Sequence, residues 1–188
     1  MGWLMRIVGV VWAVWALFWL ATAFKARPKQ RRLRGRQNLP VVLISLAVIA
    51  CFGGMGRRGG FDAPLYGRIP ALDALAVVLL IGGLAFTLWA RVILGANWSG
   101  TVTIQQGHEL VSTGPYALVR HPIYTGILVM LLGTALALAN LGGFVAFVLA
   151  VVLLWTKLRL EERLMRETFG EQYVDYQRRV KALIPGVL

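Results

Sequence analysis

The side chains best suited to chemistry fall in two clusters: Arg120-His121-Pro122, inside GPYALVRHPIYTG, and Glu161-Glu162, at the head of EERLMRETFGEQYVDYQRR. Pro122 suits the first turn of a helix, where its missing N–H costs nothing. His121 and Arg120 then stand at a helix N-terminus, where unpaired backbone N–H groups and the positive end of the helix dipole favour an anion. A guanidinium there can grip a carboxylate or phosphate through two parallel hydrogen bonds; the plainer alternative is an arginine that snorkels to a lipid headgroup. Two adjacent carboxylates at the exit of an apolar helix are costly unless paired or hydrated. One can hold a cation or a ribose diol while the other pairs with Arg120, Arg159 or Arg166; otherwise they form a solvated face with Glu162 paired to Arg166 one turn on. Phe169, Tyr173, Tyr176 and Val180 recur at spacings of four, three and four, one face of an amphipathic helix. Such a stripe is a packing surface, or it offers a tyrosine that stacks on an aromatic base while its hydroxyl stays wet. Upstream, QQGHELVSTGPY reads as a loop in which Gly107 and Gly114-Pro115 allow tight turns, and His108 is either solvated or a ligand contact.

Other chemistries find little support. The two histidines, His108 and His121, have no cysteine partner and make a poor zinc site, so no metal is expected. GGMGRRGG lacks the strand–helix setting and the Lys-Ser/Thr ending of a phosphate loop, and there is no serine elbow. The single cysteine, Cys51, lies in an apolar run and reads as buried and structural. NWSG fits a glycosylation sequon but falls on the side assigned below to the cytoplasm.

The elements that must position these residues are membrane helices. Hydrophobic residues make up 58% of the chain and charged residues 15%, which points to a polytopic membrane protein. The net charge of +12 is explained by topology and anionic lipid headgroups rather than by nucleic acid. The fold class is all-α, with about five spans: 5–24, 39–54, 70–93, 123–139 and 143–160. The first is too long for a signal-peptide core and precedes a basic block, so it reads as a retained span. The last two come from the apolar stretch Ile127–Thr156, whose 30 residues would reach about 45 Å as one helix, well beyond a bilayer core of about 30 Å. ANLGG breaks it into a tight hairpin. A cytoplasmic amphipathic helix follows. Residues 1–94 form an N-terminal unit of three spans, and 95–188 a core of loop, hairpin and C-terminal helix. KARPKQRRLRGR carries seven basic residues and no acid, which places residues 25–36 in the cytoplasm, the N-terminus outside, and both the 95–121 loop and the C-terminal tail inside. The hairpin therefore brings the two chemistry-bearing stretches to one cytoplasmic mouth.

GHELVSTGPYALVRHPIYTG, then a hairpin, then EERLMRETFGEQYVDYQRRVKALIP resembles the membrane-integral methyltransferases of the isoprenylcysteine carboxyl methyltransferase and phospholipid N-methyltransferase superfamily, over roughly residues 95 to 185. The resemblance implies S-adenosylmethionine as methyl donor, bound between the loop and the tail. It places His108, Leu110, Val111 and Gly114 along the cofactor, followed by Tyr116, His121, Pro122 and Tyr124. Glu161, Glu162, Tyr173 and Tyr176 would line it from the tail, with either glutamate open as the cofactor contact, and Arg120 with a glutamate, taken as Glu162, would be the catalytic pair. The implied acceptor is lipophilic and enters from the bilayer, most simply the carboxylate of an isoprenylcysteine; a phospholipid amine or a small thiol are the alternatives. Membrane sterol reductases share an RHP-Y region and bind NADPH, but the chain is shorter than those proteins and carries EE followed by FG-QY.

Overall fold

A computed structural model describes residues 2–23, 29–32, 63–95, 103–105 and 110–187. The expected span at 39–54, Cys51, His108 and the NWSG sequon lie outside these residues. The elements are α1 (Gly2–Ala23), β1 (Lys29–Arg32), α2 (Pro70–Leu94), β2 (Thr103–Gln105), α3 (Pro115–Leu118), α4 (Pro122–Leu138), α5 (Leu141–Phe169) and α6 (Glu171–Arg179). The all-α reading holds, with one addition: β1 and β2 form a short antiparallel pair, Lys29 opposite Gln105 and Arg32 opposite Thr103. A strand of sequence KQRR carries none of the β-branched or aromatic residues that announce one. Among the described residues α1, α2 and α5 are long and apolar enough to cross a bilayer, and α4 is a shorter apolar helix of 17 residues. The protein is an integral membrane protein.

Most boundaries follow from local chemistry. Pro70 and Pro122 sit at helix starts, as their fixed φ and missing N–H allow. The hairpin turns at Ala139, which takes the left-handed conformation (φ 54°, ψ 30°), and Asn140 caps α5 by accepting from Gly143 N at 2.8 Å. The difference from expectation is at the far end of α5, which runs nine residues past 160 to Phe169. Hydropathy marks only the buried part of a helix. Leu160–Phe169 is rich in Leu, Glu, Arg and Met, which sustain the helix in water, until Gly170 (φ 54°) ends it.

The bundle is organised around α2 against α4. Gly83, Gly126 and Gly133 bring the two backbones together. A Cβ on Gly83 would lie 2.7 Å from the Gly126 carbonyl oxygen, and one on Gly133 would lie 2.8 Å from that of Ala76. Small residues at such a seam are the membrane substitute for a hydrophobic driving force, since lipid tails are as apolar as leucine. α1 runs parallel to α2. Leu4 packs on Ala76 and Ala137, Val11 on Leu80 and Met130, and Thr22 O accepts from Arg91 Nη2 at 2.8 Å. Trp12 Nε1 donates to Thr134 Oγ1 at 3.1 Å, tying α1 to α4 midway along α1. At the opposite end, Leu65 N and the Tyr66 hydroxyl donate to the carbonyls of Ala139 and Leu136, both at 2.9 Å. The C-terminal ends of α1, α2 and α5 and the N-terminal end of α4 thus share one face of the bundle.

Adjacent glycines separate packing from propensity. Gly83→Ala should lower stability by about 1–3 kcal/mol, because the seam must open. Gly82→Ala, whose Cβ would meet open space, should be neutral or stabilise by up to about 1 kcal/mol. Denaturation of the two variants in detergent micelles checks this ordering.

Candidate active site

Three segments converge on the shared face: the loop 110–121, the aqueous end of α5, and α6 with the tail that follows it. The tail runs beside the loop as a parallel pair. Arg120 N donates to Lys181 O at 2.8 Å and His121 N to Ala182 O at 3.0 Å. Thr125 Oγ1 donates to Leu183 O at 2.8 Å. The Tyr176 hydroxyl donates to Tyr116 O at 2.5 Å. Gly114 (φ 59°) turns the chain into α3 from a conformation that disfavours any Cβ, with Trp89 and Ile93 against it.

Arg120 is the knot. Its Nε and Nη2 donate to the same oxygen of Glu162, Oε1, at 2.8 and 2.6 Å. Its Nη1 donates to the carbonyls of Gln177 and Val180, which close the C-terminal end of α6. One guanidinium therefore joins the loop, α5 and α6, and the carboxylate it grips is the protein's own. Glu162 is buried, at 4% exposure, and its second oxygen lies 3.7 Å from Arg166 Nη2. Arg159 takes another course, over the Trp155 ring at 4.8 Å.

The second carboxylate is differently placed. Glu161 Oε1 accepts from the Tyr124 hydroxyl at 2.5 Å, and Oε2 lies 3.7 Å from His121 Nδ1. Its side chain keeps 20% exposure, four times that of Glu162. The His121 ring stacks on Tyr124 with centroids 5.5 Å apart. His121 Nε2 lies 3.4 Å from Glu162 Oε1 but is buried without a hydrogen-bond partner. Lys157, one turn before Glu161, holds its ammonium 5.3 Å from the centre of the Tyr124 ring.

The tyrosines of α6 do not have wet hydroxyls. Tyr173 and Tyr176 are both 3% exposed and meet edge to face at 6.0 Å. Burial raises the Tyr173 hydroxyl well above its ordinary range and pushes Tyr176 up to about 12, against the lowering influence of Arg120 on each. Tyr116 is raised chiefly by burial as well. These hydroxyls stay protonated at neutral pH, and the amphipathic stripe is a packing surface. Pro122 is fully buried at the start of α4. Leu110 and Val111 are half-buried at the start of the described loop. Three contributors escaped the sequence reading. Thr125 anchors the tail, Lys157 faces Tyr124, and Arg91, 2% exposed, donates at 2.7 Å to Gly95 O and at 2.8 Å to Thr22 O. A charged residue inside an apolar span was the available signal for Arg91.

Residues 72–172 match the family model described as phospholipid methyltransferase, more than half of the chain. The chain belongs to the phospholipid methyltransferase family. Within it, the chain is 31% identical over 119 residues to protein-S-isoprenylcysteine O-methyltransferase B of Arabidopsis thaliana, covering 62% of this chain and 60% of that protein. It is 35% identical over 102 residues to the protein-S-isoprenylcysteine O-methyltransferase of Schizosaccharomyces pombe, covering 51% and 42%. The solved eukaryotic intramembrane Ras methyltransferase ICMT aligns with a TM-score of 0.62 at 27% identity, over 98% of this chain and 68% of that one. The matched regions span about 60% of the length of the plant relatives.

Arg120→Ala strands a buried carboxylate and removes the cap of α6, so it should destabilise by about 3–5 kcal/mol. Glu162→Gln keeps an acceptor for the guanidinium and should cost less. Denaturation of both single variants and the double variant gives the coupling, which should exceed about 1 kcal/mol for residues in direct contact.

Proposed function

We propose that the protein is an S-adenosylmethionine-dependent methyltransferase that acts on a lipophilic carboxylate, of which an isoprenylcysteine is the nearest model. Family membership supports the transferase over a membrane reductase, and the isoprenylcysteine O-methyltransferases among its relatives support the carboxylate. The observation that carries the reading is the division of labour between the two glutamates: Glu162 is consumed by Arg120, while Glu161 stays accessible beside Tyr124 and His121.

The donor set fits the cofactor. S-adenosylmethionine supplies a methyl group on a positively charged sulfur, already an electrophile. Glu161 is a partly exposed carboxylate suited to an ammonium or a ribose diol, and His121 Nε2, 3.4 Å from Glu162 Oε1, is buried without a hydrogen-bond partner. In this reading Arg120 and Glu162 are positioning residues. They hold the loop bearing His121, the helix bearing Glu161 and the buried tyrosines in one geometry, and alignment with exclusion of water is most of what such a transfer needs. An acceptor carboxylate would supply the electron pair of a new O–CH3 bond, the S–CH3 pair would stay on the donor's sulfur, and the protein would have no proton to move. An amine acceptor would first lose a proton, for which Glu161 or His121 is the available base.

The niche is assigned to the cytoplasmic face, with the N-terminus outside, because residues 25–36 and the tail are both basic and β1 pairs with β2 beside α5. The exposed Arg163, Arg166, Arg178, Arg179 and Lys181 would meet anionic lipid headgroups there.

Purified protein with methyl-labelled donor and three acceptor pools (prenylcysteine analogues, phosphatidylethanolamine, small thiols) tests the assignment; label in the first pool is expected, and label only in another replaces the acceptor. Glu161→Gln should weaken donor binding by roughly 10- to 100-fold, as expected for losing a charged hydrogen bond, with the denaturation midpoint unchanged. Titration calorimetry with S-adenosylhomocysteine and with the donor reads this directly.

A further inference from the structure

Lys157 is an unusual residue to find where it stands. It is half-buried on α5, in the apolar hairpin, and among the described residues no carboxylate lies within salt-bridge distance of its ammonium. A lysine near a helix end normally reaches for the water or a headgroup. Here the ammonium lies over the face of Tyr124, 5.3 Å from the ring centre, within the range of a cation–π contact. Tyr124 is itself 9% exposed and packs with Leu154, Leu158, Ala182 and Leu183. The side chain therefore turns toward the α4–α5 hairpin and the tail.

Its depth matters. α5 runs toward the site, so Lys157 precedes Glu161 by four residues and sits about 6 Å nearer the bilayer centre on the same helix face. A group arriving from the lipid meets Lys157 before it meets Glu161. The charges on the way are then ordered. Arg120 pairs with Glu162, Glu161 accepts from the Tyr124 hydroxyl and keeps 20% side-chain exposure, and Lys157 is the cation one turn before Glu161 on α5. An acceptor anion brought next to Glu161 alone would be repelled; with Lys157 beside it the repulsion is offset. An ammonium acceptor meets the opposite pattern, a cation at the entrance.

We propose that Lys157 is the acceptor-recognition residue: its ammonium binds the anionic oxygen of the acceptor and selects a carboxylate over an amine headgroup. This rests on the methyltransferase reading and names the charge class of its substrate. A lipid phosphate presents the same oxyanion chemistry, so the experiment separates the two sources.

The test uses full-length protein in neutral phosphatidylcholine vesicles, with labelled donor and a prenylcysteine carboxylate. Lys157→Gln should raise KM for the carboxylate roughly 10- to 100-fold, the loss expected for a charge-assisted hydrogen bond, while kcat changes far less. Donor affinity by calorimetry and the denaturation midpoint should match wild type, and Lys157→Arg should restore most of the KM. Wild type should not label phosphatidylethanolamine. An unchanged KM in Lys157→Gln overturns the proposal, as does equal labelling of the amine by wild type. A KM effect that appears only when anionic phosphatidylglycerol is added assigns Lys157 to a headgroup and overturns it too. If wild type binds donor but labels no acceptor, the methyltransferase reading itself fails; if wild type labels the carboxylate and Lys157→Gln is silent, only the role of Lys157 fails.

Discussion

The buried pair of Arg120 and Glu162 is the constraint on which the polar end of this protein depends. Three chain segments far apart in sequence meet there, and each alone would leave charges or carbonyls unsatisfied. The guanidinium answers the Glu162 carboxylate and the last carbonyls of α6 at once. A buried ion pair is weak evidence for net stability, since desolvation offsets much of the Coulomb gain. Its better-attested value is register. With Arg120 fixed, His121 and Pro122 enter α4 at a set angle, the tail pairs with residues 119–121, and Tyr176 closes onto Tyr116.

The apolar part solves a different problem. Inside a bilayer there is no water to expel between helices, so α2 and α4 associate through shape, with glycines letting carbonyls approach. This seam leads to the polar niche through Arg91, which sits at the end of α2 and holds the last turn of α1. Hydrogen bonds from Trp12 and Tyr66 fix the same helices elsewhere along their length. The niche is therefore carried on helices rather than on free loops, which suits a reaction whose main demand is alignment.

Much of this was legible in the residues. The start of α2 at Pro70, the break at ANLGG and the start of α4 at Pro122 have local causes, and the structure places them there. The meeting of the RHP loop with the EE segment followed from the hairpin alone. What stayed hidden depends on tertiary context. The continuation of α5 to Phe169 is a matter of helix propensity in water, to which hydropathy is blind. The partner of Arg120 could have been a ligand, a lipid or a protein carboxylate, and only the fold decides that it is Glu162. The stripe of Tyr173 and Tyr176 was visible, but its burial against the loop was not. The β1–β2 pair was hidden because β1 is KQRR, without a β-branched or aromatic residue, and β2 is only three residues long.

α5 has one further consequence. Its 29 residues form an uninterrupted rod of about 44 Å, which outreaches a hydrocarbon core of about 30 Å. Lipid-facing Val148 and Val152 and the carboxylates of Glu161 and Glu162 ride on that single rod with no hinge between them. The height of the carboxylates above the hydrocarbon edge is thus set by how the rod tilts and floats in the membrane. A thinner or thicker leaflet shifts the niche relative to its lipid surroundings, which couples this protein mechanically to the thickness of its host membrane.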